Sequence, residues 1–310
     1  MKIVVTGSHG FLGTSVVAKL RSLDHVVFTV DIAVGADETA IDVCGPTFRH
    51  LLMEFAPDAV VHLAGVQYEK PVKKALREQF FKKNVQMAKS ISEVALSLAS
   101  LKQIVFVSTD MVYGRVEQTP VPVTAKPRPV GPYGASKLVA EDILRTLSKD
   151  QNIALTIFRP RLIAGEGRLG TIAILKQFIQ RGFPVPIFGR GENRYQMVSK
   201  NDVANAISLA LLRQKSGIFN LGSDDPPRVK ELISHVISQT GSRSKRIFIP
   251  NGLLTRVLTI ADSLNLSPLS PEQFEIAGIE YVLDTSETKI ALGWEPTQSD
   301  KDILEESFRQ

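Results

Sequence analysis

The first thirteen residues constrain this chain more than any other stretch. An apolar run, Ile3-Val4-Val5, enters Thr6-Gly7-Ser8-His9-Gly10-Phe11-Leu12-Gly13, and an amphipathic segment follows. Glycines at 7, 10 and 13 suit a strand that turns sharply into a helix. The first permits the turn, the second lets backbone approach a bound group, and the third lets the helix lie close to the strand. The start of that helix offers free N–H groups and a positive dipole end to a pyrophosphate. Glycine spacing alone is a weak signal. Here the preceding strand and following helix supply the context a dinucleotide site requires.

A second requirement is an acid at the end of the second strand. Asp31 follows the apolar run Val26–Val30 and stands roughly 20 residues past the last glycine, where the adenosine ribose is held. A carboxylate there accepts from both ribose hydroxyls and repels a 2′-phosphate, which favours NAD over NADP. Beyond it, short apolar runs at 59–63, 103–108 and 153–158 alternate with amphipathic segments near 11–23, 47–55, 78–100 and 133–149. Strands apolar on both faces, alternating with helices, imply an α/β doubly wound parallel sheet, a Rossmann arrangement. Residues 170–182, 200–213 and 228–240 read as further helices, and 262–273, with several Ser and Pro, as a connection. Residues 119–132 are proline-rich and read as a loop that walls the active site, since they precede Tyr133. The rhythm breaks near residue 165. The expected organisation is a cofactor domain over 1–165, with 198–221 returning to it, and a smaller C-terminal substrate-binding lobe over 166–310.

Charge excludes some partners. The formal net charge of +5 over 310 residues is mild, and no Lys/Arg block marks a nucleic-acid tail. Lys73-Lys74 and Lys82-Lys83 read as a solvated helix face. A single cysteine, Cys44, forbids an internal disulfide and fits a reducing compartment. No signal-peptide pattern and no uncharged apolar run of about 18 residues occurs, so a cytoplasmic protein with no membrane partner is expected. His9, His25, His50, His62 and His235 are scattered without metal-binding spacing, so no metal is expected.

The chemistry-bearing residues lie near the middle of the chain. Tyr133-Gly134-Ala135-Ser136-Lys137 is the one Tyr-x3-Lys in the sequence, and this spacing puts both side chains on one helix face. A nearby ammonium favours the phenolate and lowers the phenol's pKa, so tyrosine can take a proton from an alcohol or return one to a ketone. Lysine can also hold the nicotinamide ribose. The fourth strand ends in Ser108-Thr109-Asp110-Met111-Val112-Tyr113-Gly114, at the carboxyl edge where ligands bind in parallel sheets. Thr109 there can hydrogen-bond a reacting oxygen. Asp110 can act on substrate, or only cap backbone N–H groups.

With these residues in place, the chain resembles the extended short-chain dehydrogenase/reductases, and among them the NAD-dependent epimerase/dehydratase family of sugar-nucleotide enzymes. The resemblance covers nearly the whole chain: TGSHGFLG at 6–13, Asp31, Asp42-Val43, HLAG at 62–65, Asn84, STDMVYG at 108–114, YGASK at 133–137, FRP at 158–160, RYQMVSKNDVANAI at 194–207, FNLGS at 219–223 and DTSETKIALGW at 284–294. It implies that Gly7, Gly10, Phe11, Leu12 and Gly13 line the pyrophosphate, that Asp31 holds the ribose, and that Asp42 and Val43 meet the adenine. It places Leu63, Ala64 and Gly65 beside the cofactor and Pro160 and Leu162 near the nicotinamide. Thr109, Tyr133 and Lys137 become the catalytic trio, and Asp110 and Arg194 substrate contacts, Arg194 standing within one position of the family's diphosphate-binding arginine. Family dehydratases carry Asp-Glu after the threonine, whereas this chain has Asp110-Met111. Methionine cannot accept a proton, so the resemblance implies a sugar-nucleotide epimerase working by reversible hydride transfer through a 4-keto intermediate. The alternative is an NAD(P)-dependent reductase or dehydrogenase of a keto sugar or related alcohol. Family members often pair through a four-helix contact, which implies a homodimer built on helices 78–100 and 133–149.

Overall fold

The structure, a computed structural model, describes residues 1–35, 39–67, 74–168, 170–267 and 269–309. Lys73, named above for its charge, lies outside them. The elements in chain order are β1 (Lys2–Thr6), α1 (Gly13–Arg21), β2 (Val26–Val30), α2 (Pro46–Phe55), β3 (Ala59–His62), α3 (Lys74–Ala95), β4 (Gln103–Val107), α4 (Pro132–Gln151) and β5 (Ala154–Pro160). They continue with β6 (Leu162–Ala164), α5 (Thr171–Gln180), β7 (Val185–Phe188), β8 (Met197–Ser199), α6 (Lys200–Leu212) and β9 (Gly217–Leu221). The last are α7 (Val229–Gln239), β10 (Arg246–Ile249), α8 (Asn251–Ser263), α9 (Pro271–Ala277), α10 (Ser286–Leu292) and α11 (Asp300–Phe308).

Six strands form one parallel sheet in the order β2-β1-β3-β4-β5-β9. Alternate side chains of each strand leave on opposite faces. Val4, Ile104 and Phe106 therefore join Phe48, Leu52, Ile91 and Leu144 in a core under α2, α3 and α4. Ile3, Val5 and Val105 join Val16, Leu20, Val203, Ile207 and Trp294 in a second core under α1 and α6. Burial on both faces is why these strands are apolar throughout. Strand order reverses between β1 and β3, and a crevice opens there at the carboxyl ends of the strands.

A third core, with Ile172, Ile179, Val185, Ile187, Leu232, Val236 and Ile303, lies under α5, α7 and α11. It carries two short parallel pairs, β7 with β10 and β6 with β8. The connection expected over 262–273 is only partly one. α8 ends at Ser263, and α9 begins at Pro271, with Ser270 and Gln273 forming a reciprocal capping box. Serine and proline there start a helix rather than prevent one.

Candidate active site

The crevice between β1 and β3 is built by glycines. Gly7 has φ +71°, and a Cβ on it would lie 2.7 Å from the Ala64 backbone nitrogen, so the loops after β1 and β3 touch. A Cβ on Gly13 would fall 2.0 Å from the Gly7 carbonyl oxygen. Gly10 is exposed, and a side chain there would meet only the Gly7 carbonyl, at 3.2 Å. The cradle is therefore closed beneath and open above Gly10, a shape that fits a pyrophosphate over the first turn of α1. Asp31 sits at the rim, accepting from the His9 and Ala33 backbone N–H groups at 2.9 and 3.0 Å. Asp42 accepts from the Cys44 N–H at 2.9 Å, and Val43 is buried, its carbonyl accepting from Ser90 Oγ. Phe11 and Leu12 are half-buried, and Phe11 lies under the cations of Arg168 and Lys200 at 5.2 and 5.3 Å. Leu63, Ala64 and Gly65 form the opposite lip. Asn84 pins the next residue, accepting from Val66 N–H at 2.7 Å and donating to Val66 O and to Ser136 Oγ at 3.1 and 2.9 Å.

Beyond the crevice a cavity of about 300 Å³ opens between the sheet and the C-terminal lobe. Ser108, Thr109, Asp110, Met111, Tyr133, Pro160 and Leu162 line one side, and Ile172, Leu175, Val185, Leu232, Gln273 and Ile276 line another. Thr109 caps a short 3-10 turn (residues 110–112). Its Oγ1 accepts from the Met111 N–H and donates to Asp110 Oδ1, both at 3.2 Å. Pro132 supplies the first turn of α4, which brings Tyr133 to the cavity. None of residues 119–132 lines it. Backbone pairing of Val121 with Val282 and of Arg128 with Val112 holds the proline-rich loop against those residues, and the wall it was expected to form is made by other segments.

Lys137 stands one helical turn beyond Tyr133, outside the cavity lining. Its Nζ donates to the Val107 carbonyl at 3.0 Å and lies over the Phe106 ring at 4.8 Å. A Cβ on Gly65 would come within 3.1 Å of it, which places the ammonium beside the cofactor crevice. Burial lowers its pKa to about 8, against an opposing pull from Glu141. Tyr133 departs from the simple expectation. Burial raises its phenol above the ordinary value, Glu272 and Asp110 add to the rise, and the opposing cation is Arg168. Desolvation of the phenolate outweighs cationic help in this pocket.

Three residues that sequence reasoning passed over complete the site. Arg161, 6% exposed, pairs with Asp110 at 2.7 Å and lies between the rings of Tyr195 and Tyr281, at 5.2 and 4.5 Å. Tyr281 also donates to the Asp110 carbonyl at 2.7 Å. The Arg161 Nε has no hydrogen-bond partner among the described residues. A guanidinium inside the apolar stretch FRPRLIA was the signal that could have revealed it. Arg168, set among Gly165, Gly167 and Gly170, reaches both the cavity and Phe11. Glu272 on α9 is the third: its carboxylate accepts from the N–H of Tyr133 at 2.9 Å and of Gly134 at 3.2 Å. A Cβ on Gly131 would overlap its Cγ, so the glycine cap of α4 is what admits Glu272. Arg194 takes no part in the cavity wall. It is held by Glu280, through both its backbone N–H and its Nε, while its neighbour Tyr195 faces the cavity.

Comparison with known proteins gives a consistent picture. Residues 3–222 match the model of the NAD dependent epimerase/dehydratase family. An uncharacterized protein of Sinorhizobium fredii is 31% identical over 67% of this chain, and the match spans about half, 52%, of that protein's length. UDP-glucose 4-epimerase of Vibrio cholerae is 25% identical over 99% of this chain and 93% of its own. The crystal structure of UDP-glucose 4-epimerase from Thermotoga maritima, with UDP-glucose, superposes with a TM-score of 0.80 at 26% identity, covering 99% of this chain and 97% of that one.

Proposed function

The chain belongs to the NAD-dependent epimerase/dehydratase family, and from that premise we propose that it is an NAD-dependent sugar-nucleotide epimerase that inverts a ring carbinol through a 4-keto intermediate. The cradle of Gly7, Gly10, Phe11, Leu12 and Gly13 fits the cofactor's pyrophosphate. Asp31 takes the ribose, Asp42 and Val43 the adenine, and Leu63, Ala64, Gly65, Pro160 and Leu162 the nicotinamide side. When bound, the cofactor supplies a reversible hydride acceptor. Every other task falls to the chain.

Tyr133 exchanges the proton of the reacting hydroxyl, and Thr109 hydrogen-bonds the same oxygen. Desolvation holds the phenol protonated. To act as base it needs cationic help, from Lys137 at the crevice and Arg168 at the cavity. Arg161 lines the cavity and holds Asp110 in place. Glu272 positions Tyr133 through the backbone, tying the catalytic turn of α4 to the lobe that would hold the sugar nucleotide. UDP-glucose 4-epimerases among the relatives suggest a uridine diphosphate sugar as the substrate class.

One observation separates this reading from dehydration. Eliminating water needs a free acid–base pair beside the sugar, yet Asp110 is locked by Arg161, Thr109 and the turn it begins, and its neighbour is Met111. Tyr133 is then the group beside Thr109 that moves a proton. Tyr133→Phe tests the assignment: turnover should fall by about 10²–10⁴ while NAD binding stays intact. Full activity in the variant would end it. Consumption of NADH in step with product would instead point to a net reductase.

A further inference from the structure

The C-terminal lobe carries an apolar face that no described residue covers. On α8, Leu254 and Leu258 turn inward and pack with Phe274, Phe188, Ile249 and Leu269. At 100° per residue, Leu253, Val257, Ile260 and Leu264 follow one another along a single adjoining stripe. With Leu266 they are 56, 53, 63, 62 and 72% exposed, too contiguous for apolar residues scattered singly over a surface. The face continues onto β10, where Ile247 shares its strand side with Ile249 and is also exposed.

Charge identifies the kind of partner. Between Glu231 and Asp262 the chain contains Arg243, Lys245, Arg246 and Arg256 and no carboxylate. All four cations are exposed, with Arg246 on the strand side opposite Ile247, where it donates to the Lys230 carbonyl. Asp262, the next acid, is already paired with Arg77. An apolar stripe whose own stretch of chain carries cations and no free carboxylate is the pattern that lies on an anionic bilayer. A second copy of the chain fits less well, because a two-fold contact would set these cations against their own equivalents. No helix among the described residues is long and apolar enough to cross a membrane, so the geometry is that of an element lying in the interfacial plane.

We propose that α8 and the adjoining β10 dock this protein onto an anionic membrane surface, contrary to the expectation of no membrane partner. The docking face and the cavity share a wall. Phe188 and Leu269, which pack against Leu254 and Leu258, also line the cavity. The site therefore works close beneath the bilayer when the protein is docked.

Flotation of the full chain with lipid vesicles tests this. The protein should rise with phosphatidylcholine vesicles containing phosphatidylglycerol, stay behind with phosphatidylcholine alone, and be released by high salt. Arg243→Ala with Lys245→Ala should weaken binding by about fivefold per cation removed, and Val257→Asp with Ile260→Asp should abolish it. Both pairs should keep the parent's circular dichroism and its turnover of a soluble sugar nucleotide. Failure to float with the anionic vesicles, or flotation untouched by either pair, would overturn the proposal. So would a dimer in light scattering that Val257→Asp dissolves, which would assign the face to a second copy.

Discussion

Replacing Lys137 by methionine is expected to stabilise the fold while removing activity. The ammonium is 4% exposed, and burial has brought its pKa from 10.5 to about 8. That span of roughly 2.5 pH units, at about 1.4 kcal/mol each, means that keeping the charge inside the protein at pH 7 costs about 3 kcal/mol. The sign follows from proton binding. Between pH 8 and 10.5 the unfolded chain holds a proton on this lysine that the folded chain has shed, so stability rises with pH across that window. Methionine has similar length and no charge. It forgoes the bond to the Val107 carbonyl, worth about 1 kcal/mol, and the contact over Phe106. The net gain at pH 7 should be about 1–2 kcal/mol. Urea denaturation of parent and variant at pH 7 and pH 10 would measure it, and the gap should narrow at the higher pH as the parent loses its penalty. Other groups titrate equally in both proteins and cancel. A variant destabilised by about 2 kcal/mol or more at pH 7, or a gap unchanged with pH, would show that the buried charge carries no such penalty.

Other perturbations probe separate parts of the site. Gly13→Ala drives a Cβ into the Gly7 carbonyl, and should cost about 1–3 kcal/mol together with NAD affinity, measured by urea denaturation and titration calorimetry. Asp110→Ala leaves the Arg161 charge buried without its counter-ion, and should destabilise by about 3–5 kcal/mol; a loss below about 1 kcal/mol would show that the pair does not anchor this part of the site. Glu272→Gln removes a charge that raises the Tyr133 phenol. The rising limb of the rate of alcohol oxidation should then move to lower pH, and an unmoved limb would reduce Glu272 to a structural cap.

The large sheet was legible because its signals are local. β1 to β5 are apolar runs separated by helix-length segments, and Gly7, Gly10 and Gly13 stand at the turn that β1 must make. Thr109 and Tyr133 were legible by type and by place, at a strand end and a helix start, and the structure brings both to one cavity. The C-terminal lobe was not. β6 and β8 have three residues each, too short for a periodicity to show. Glu272 meets Tyr133 across 139 positions, and nothing near either residue announces the contact. Arg194 and Tyr195 differ by one position, enough to exchange the side chain that faces the cavity with the one that pairs with Glu280. Spacing placed Lys137 near Tyr133, but which effect governs the phenol depends on burial, a property of the assembled pocket.

In the proposed reaction hydride leaves and returns to the same sugar carbon. A sugar nucleotide carrying deuterium on the reacting carbinol carbon would test it most directly. With the parent enzyme and a trace of NAD, the epimer should form with its deuterium retained and with no net NADH. Deuterium lost to solvent, or product appearing only as NADH is consumed, would contradict the account.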